Sequence, residues 1–305
     1  MAAALFLFGL ADPKAQLSFS NIEPLTNREA RVRLTVPAGT AARVDISTNL
    51  VDWNSFLTVG AGSLVHTDLV ASAKFYRAQQ VPANSLTGDH IPTDAGDLII
   101  HPVTHASFVM SWNGKMIYND PDTANYSAFA RADLILVSHD HGDHFDAATI
   151  ASVKATNGII VTTQTVFNSL SATLRSSTIV LANGASTNIN GIQIDAIPAY
   201  NSNHPKGVGN GYVVTLGGKR LYMSGDTGDI PETRALQNID VAFLCMNQPF
   251  TMTINQAASV TRAFAPKIVY PYHFRNSDNS LSNLGSFKSL VGTDLPIEVR
   301  VRKWY

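Results

Sequence analysis

Hydrophobic and polar positions divide the chain into two stretches of different texture. From about residue 18 to 80, short segments alternate strictly: Arg31–Val36, Ala42–Ser47, Ser55–Val59 and Lys74–Ala78. Turn-forming Pro, Gly and Asn separate them, and this period of two predicts a small β-sandwich over residues 18–85. A linker follows around Pro82–Gly88, and from residue 86 to 305 strands are interleaved with helical segments. Three hairpins stand out. Asn113-Gly114, Asn190-Gly191 and Gly217-Gly218 each separate two strand-like runs, and each pair suits the positive φ angles of a two-residue hairpin turn. Helices are predicted over Asp146–Ala155, with Asp146 as cap, and over Ile254–Phe264. There Thr253 and Gln256 have capping-box spacing and Pro266 stops the run. Hairpin-rich sheet with interspersed helices predicts an α+β domain of layered sheets with helices outside.

Composition narrows the function. Twenty-two basic and 23 acidic residues nearly cancel, so no whole-molecule field recruits nucleic acid or acidic membrane. The single cysteine, Cys245, can form neither an internal disulfide nor a thiolate cage, and its apolar surroundings predict a buried strand residue. Residues 1–17 begin with the apolar run Ala2–Ala11, long enough for a signal-peptide core and too short to span a bilayer as a helix. It lacks a basic start and a clean cleavage pattern, and reads either as a leader remnant or as a strand docked on the fold. Trp53 and Tyr76 are aromatic candidates for glycan contact, with core packing the better expectation.

The chemistry concentrates where a buried strand, Leu134–Val137, runs into His139-Asp140-His141-Gly142-Asp143-His144. Three imidazoles and two carboxylates within six residues are poor material for a packed core. In extended backbone His139 and His141 point the same way, and Gly142 permits a sharp turn that aims Asp143 and His144 at a second point. Imidazole and carboxylate suit zinc, manganese or iron. Three further residues stand at strand ends or turns: His204 beside Pro205, Asp226 after Gly225, and His273 after Pro271-Tyr272.

The His-x-His-x-Asp-His run resembles the signature of the metallo-β-lactamase-fold hydrolase superfamily. The resemblance continues in order over about residues 95–305. It passes through Gly96–Ile100, His105–Phe108, Ile117–Pro121, Ile197–Asn201, His204–Gly207, Gly211-Tyr212, Ser224–Thr227 and Tyr270–Phe274. These segments look like the branch that includes the L-ascorbate-6-phosphate lactonase and N-acyl-phosphatidylethanolamine phospholipase D. The resemblance implies an αββα sandwich and two divalent metal ions, zinc first and manganese or iron next. It implies His139, His141 and His204 at one ion, Asp143, His144 and His273 at the other, and Asp226 bridging. Asp143 and Asp226 would be the catalytic carboxylates, with Asp120 and Asp140 orienting ligand imidazoles. His105, Tyr200, Asn201 and Tyr272 flank the motifs as candidate substrate contacts. The implied activity is hydrolysis, by a metal-bridging hydroxide, of a small-molecule phosphodiester, lactone or carboxylic ester. β-Lactam hydrolysis is a weaker alternative, because Cys245 does not follow the glycine of the Asp226 motif. A non-catalytic binding protein using the sandwich for recognition is the alternative of another class. Residues Asp45–Trp53 and Phe75–Arg77 resemble modules of exported bacterial proteins, which tilts the expected location slightly toward periplasmic or secreted.

Overall fold

The computed structural model describes residues 18–24, 29–69 and 74–305, so the expectation for residues 1–17 lies outside the described residues. The chain forms two compact units. The first contains the described residues up to Pro92 together with Gly96–His101; the second contains Thr93–Ala95 and Pro102–Tyr305.

In the first unit the strands are β1 (Ser18–Pro24), β2 (Glu29–Val36), β3 (Ala41–Ser47), β4 (Asn54–Val59), β5 (Gly62–Leu69), β6 (Phe75–Val81), β7 (Gly88–Thr93) and the start of β8 (Gly96–Thr104). One sheet runs β1-β2-β5, and the other contains β7-β4-β3-β6. Alternate residues of the two sheets meet in one core: Val32, Leu34 and Val36 from β2 face Val44, Phe56, Tyr76 and Ala78. Tyr76 is therefore core, while Trp53 lies under the Arg77 guanidinium, 4.6 Å from the ring centroid. The first unit runs on to Pro92, past the 85/86 boundary expected from the change of pattern. Residues 88–92 of β7 and Gly96–His101 remain with this unit, where buried His90 bonds Thr58 Oγ1 at 2.8 Å and Asp97 Oδ2 at 3.0 Å.

The second unit has two sheets flanked by helices. Its first sheet contains β9 (Ser107–Trp112), β10 (Lys115–Asn119), β11 (Ala132–Leu136), β12 (Lys154–Thr162) and β13 (Thr178–Val180). Helices α1 (Ala147–Val153), α2 (Gln164–Ser169) and α3 (Ala172–Arg175) cover its outer face through Ile150, Val166, Leu170 and Leu174. The second sheet runs in sequence order: β14 (Ser186–Ile189), β15 (Ile192–Ala199), β16 (Gly209–Leu216), β17 (Lys219–Met223), β18 (Val241–Cys245), β19 (Ile268–Tyr272) and β20 (Glu298–Val299). Helices α4 (Pro231–Arg234), α5 (Ile254–Phe264) and α6 (Leu284–Val291) belong to this half. Tyr222 of β17 bonds Thr233 of α4 and meets Phe264 of α5. Between the sheets Phe108 stacks on Phe243 at 4.2 Å, with Tyr272 and Trp304 edge-on. This is the αββα sandwich.

All three expected hairpin turns have positive φ at both central residues. Helix α5 keeps its expected bounds and its capping box. Helix α1 is shorter than expected: Asp146 caps it by accepting from Thr149 N–H at 2.7 Å, but Lys154 turns extended and begins β12. Cys245 is fully buried in β18, as its apolar neighbours predict.

Candidate metal centre

The parallel strands β10, β11 and β12 of one sheet and β17, β18 and β19 of the other place their carboxyl ends at the same edge of the unit. That is where open parallel sheets collect functional side chains. His139–His144 follow β11, Asp226 follows β17, His273 follows β19, and His204 lies in the loop after β15. Ligand atoms of His139, His141 and His204 lie within 4.8 Å of one another. So do those of His139, His144 and Asp226, and those of His105, Asp143 and His273. The Asp226 carboxylate stands among these groups. Its Oδ1 is 3.2 Å from His144 Nε2 and 3.4 Å from His273 Nε2, and its Oδ2 is 3.9 Å from His139 Nε2.

Backbone strain concentrates here. Asp120, His105 and His273 all have positive φ, near 45°, although none is glycine. His273 N–H donates to His105 C=O at 2.9 Å, tying two of them together. Gly225, at φ 55°, is required: a Cβ there would lie 2.8 Å from Asn210 O and 3.1 Å from Ser138 Cβ. The turn expected at Gly142 is present, closed by His144 and Phe145 N–H groups on His141 C=O. Gly142 itself has no positive φ, so its conformational freedom is not what makes that turn.

Other polar side chains fix the imidazoles. Asp120, almost wholly buried, accepts from Ser138 N–H at 2.6 Å, from Ser138 Oγ at 2.9 Å and from His144 Nδ1 at 2.9 Å. His144 Nδ1 is thereby engaged by Asp120, which leaves Nε2 as the ring atom that faces Asp226. Asn201 Oδ1 lies 3.1 Å from His204 Nδ1, and its amide donates to Asp226 C=O at 3.0 Å. Asn247 Nδ2 lies 3.2 Å from His273 Nε2. Ser138, Asn247 and this use of Asn201 were not foreseen from sequence. Asp140 is exposed, so of the two aspartates expected to orient ligands only Asp120 does so.

The charges suit a cation. Burial opposes charge on Asp226, yet His144, His273 and His139 around it hold its carboxyl well below the ordinary range. Burial likewise opposes charge on Asp143, and the His273 hydrogen bond outweighs it. Burial, then the neighbouring His144, pushes His139 down, and burial lowers His204, so both stay neutral as ligation requires. His144 is raised despite its burial, because Asp226 and Asp120 press on it from both sides. Buried His139 Nε2, His144 Nε2 and Asp226 Oδ1 have no hydrogen-bond partner although they face one another. Buried polar atoms rarely remain so, and a divalent cation fits all three.

The expected substrate contacts separate. Tyr272 is fully buried in the inter-sheet aromatic core, its hydroxyl 3.4 Å from Ser224 Oγ, and so does not face the opening. The register explains this: Tyr270 and Tyr272 share one face of β19, the face that meets Phe243. Tyr200 is half-buried, donates to Glu232 Oε2 at 3.0 Å, and lies 5.2 Å from Lys206 Nζ. His105 comes closer than expected, beside Asp143 and His273. Its Nδ1 lies 3.4 Å from the hydroxyl of Tyr305, a residue that no motif pointed to.

Fold and donor set together define a metal-dependent hydrolase fold of the β-lactamase class. Residues 100–273 match the Beta-lactamase superfamily domain, more than half of the chain, and the chain belongs to that family. A UPF0173 metal-dependent hydrolase of Pyrococcus abyssi is 30% identical over 210 residues, covering 64% of this chain and 92% of the relative. A relative of the same name from Thermococcus kodakarensis is 33% identical over 202 residues, 62% of this chain and 89% of its own length. A crystal structure from Parabacteroides distasonis, assigned as a metal-dependent hydrolase, is 38% identical with a TM-score of 0.64. It covers 70% of this chain and 97% of that one. The chain is a metal-dependent hydrolase.

Proposed function

We propose that the chain is a binuclear hydrolase of ester-like bonds in small molecules, with zinc as its metal and manganese or iron as substitutes. One observation carries this reading: the Asp226 carboxylate stands between His139 on one side and His144 and His273 on the other, all buried. His139, His141 and His204 would hold one ion, Asp143, His144 and His273 the other, and Asp226 would reach both. A bound pair supplies Lewis acidity, lowering the pKa of water and polarising a carbonyl or phosphoryl oxygen. Asp143, the partly exposed carboxylate of the set, would orient the attacking water. Asp120 and Asn201 hold the His144 and His204 rings through their Nδ1 atoms, so that less reorganisation is needed when charge develops on the substrate. Buried Cys245, with its thiol pushed up to about 11 by burial and its Sγ 3.5 Å from Thr227 C=O, serves neither as ligand nor as nucleophile.

Metal analysis of the purified chain, with a phosphodiester, a lactone and a β-lactam as substrates, tests the proposal. Two metals per chain and chelator-sensitive turnover of one of the first two substrates are expected. Asp226→Ala should leave at most one metal and cut turnover by about 10²–10³-fold or more, the scale of losing one preorganised electrostatic group. Full turnover in that variant with two metals still bound would sink the assignment.

A further inference from the structure

Beside the Asp143–His273 half of the centre, four side chains form a continuous series. The His273 and His105 rings are 5.5 Å apart and edge-on, and the His105 and Tyr305 rings are 5.2 Å apart and edge-on. The Arg275 guanidinium lies 4.1 Å from the Tyr305 ring centroid. Each member is held. Tyr305 is braced by Phe274 at 5.1 Å, and the Arg275 backbone is bridged to Leu281.

Arg275 differs from the other cation near the centre. On the His204 side, Lys206 is neutralised by Glu232. Arg43, Arg77, Arg234, Arg262, Lys267 and Arg300 likewise each have a carboxylate within ion-pair distance. Arg275 has none among the described residues, although it is partly buried and acts electrostatically on His105, as Asp143 does. A guanidinium half out of water, placed on an aromatic face with its donor fork uncommitted, is prepared for an external anion.

We propose that Arg275, seated on Tyr305, binds an anionic group of the substrate, so that the enzyme selects acidic esters carrying a carboxylate or phosphate near the scissile bond. This deepens the hydrolase reading and, for turnover, rests on it. Tyr305 is a positioning residue: its ring fixes where the guanidinium sits relative to His105 and the second half-site.

The test uses the full chain loaded with zinc and the variants Arg275→Met and Arg275→Lys. 4-Nitrophenyl hemisuccinate and 4-nitrophenyl butyrate form a pair that differs mainly in a terminal carboxylate. In Arg275→Met, kcat/KM for the hemisuccinate should fall at least 10-fold more than for the butyrate, and Arg275→Lys should recover part of the difference. An equal fall for both esters, or none, with metal content unchanged would overturn the proposal. Calorimetric titration of succinate and of inorganic phosphate gives a readout independent of turnover. About 10-fold weaker binding in Arg275→Met supports the anion site, and the more affected anion identifies the carboxylate or the phosphate source. If the wild-type chain turns over neither ester, the function proposed above fails on these substrates and the titrations alone decide. Unchanged affinity for both anions in Arg275→Met would then refute the role of Arg275.

Discussion

Replacing Asp120 by Asn changes one atom in a buried network and should be read at the metal. The Asn amide oxygen must stay at the Oδ1 position, because Ser138 N–H donates there at 2.6 Å. The NH₂ then occupies the Oδ2 position, 2.9 Å from His144 Nδ1, where two donors would face each other. The imidazole escapes by moving its proton to Nε2, the atom that points at Asp226 Oδ1 and has no hydrogen-bond partner. A protonated Nε2 cannot ligate. Losing such an orienting partner typically costs 10–100-fold in metal affinity, or about 1.4–2.8 kcal/mol. The opposite amide flip leaves the buried Ser138 N–H unsatisfied at about 1–3 kcal/mol, so neither route is free. Backbone strain does not confound the comparison, since Asn tolerates the positive φ at residue 120 as Asp does. Competition with a chromophoric chelator should show one ion weakened in Asp120→Asn, and the ion of His139, His141 and His204 little changed. Wild-type affinity for both ions would refute the tautomer argument.

Gly225→Ala combines a positive φ with a Cβ 2.8 Å from Asn210 O, and should cost about 1–3 kcal/mol in stability while displacing Asp226. An unchanged Tm and metal content would contradict that. Tyr272→Phe removes one weak bond to Ser224 in the core, so it should cost no more than about 1 kcal/mol and leave kcat and KM within about two-fold. A large rise in KM would instead place Tyr272 against substrate. Burial, then His273, holds the His105 imidazole at about 4, below its unfolded value of 6.5. As pH falls from 6.5 to 4 the unfolded chain therefore binds protons first, and stability is lost across that window. His139 and His204, also lowered, act in the same direction. Raised His144 acts above 6.5, and lowered Asp143 and Asp226 act below 3.8. In chelator-treated protein, Tm should fall with acid between pH 6.5 and 4, and less steeply in His105→Asn.

What could be read from sequence follows from how unusual each residue is for the place it occupies. His139, His141, Asp143 and His144 were legible because imidazoles and carboxylates crowded at the end of an apolar strand have no packing explanation. His204, Asp226 and His273 are single residues, and only the order of the motifs around them made them candidates. The orienting groups are ordinary. Nothing about Ser138, Asn201 or Asn247 along the chain announces that it will meet Asp120, His204 or His273, because each contact depends on how strand ends approach in three dimensions. Tyr272 is the instructive case. Its motif neighbours suggested a substrate contact, yet alternation along Ile268–Tyr272 already put it on the face of Tyr270, and a strand buried on both sides sends that face into the core. Periodicity was the better guide there because it reports which way a side chain points. Proximity to a ligand in sequence does not. The same distinction separates His273 from Tyr272: the positive φ of His273 breaks the alternation immediately after the strand and turns its imidazole into the centre.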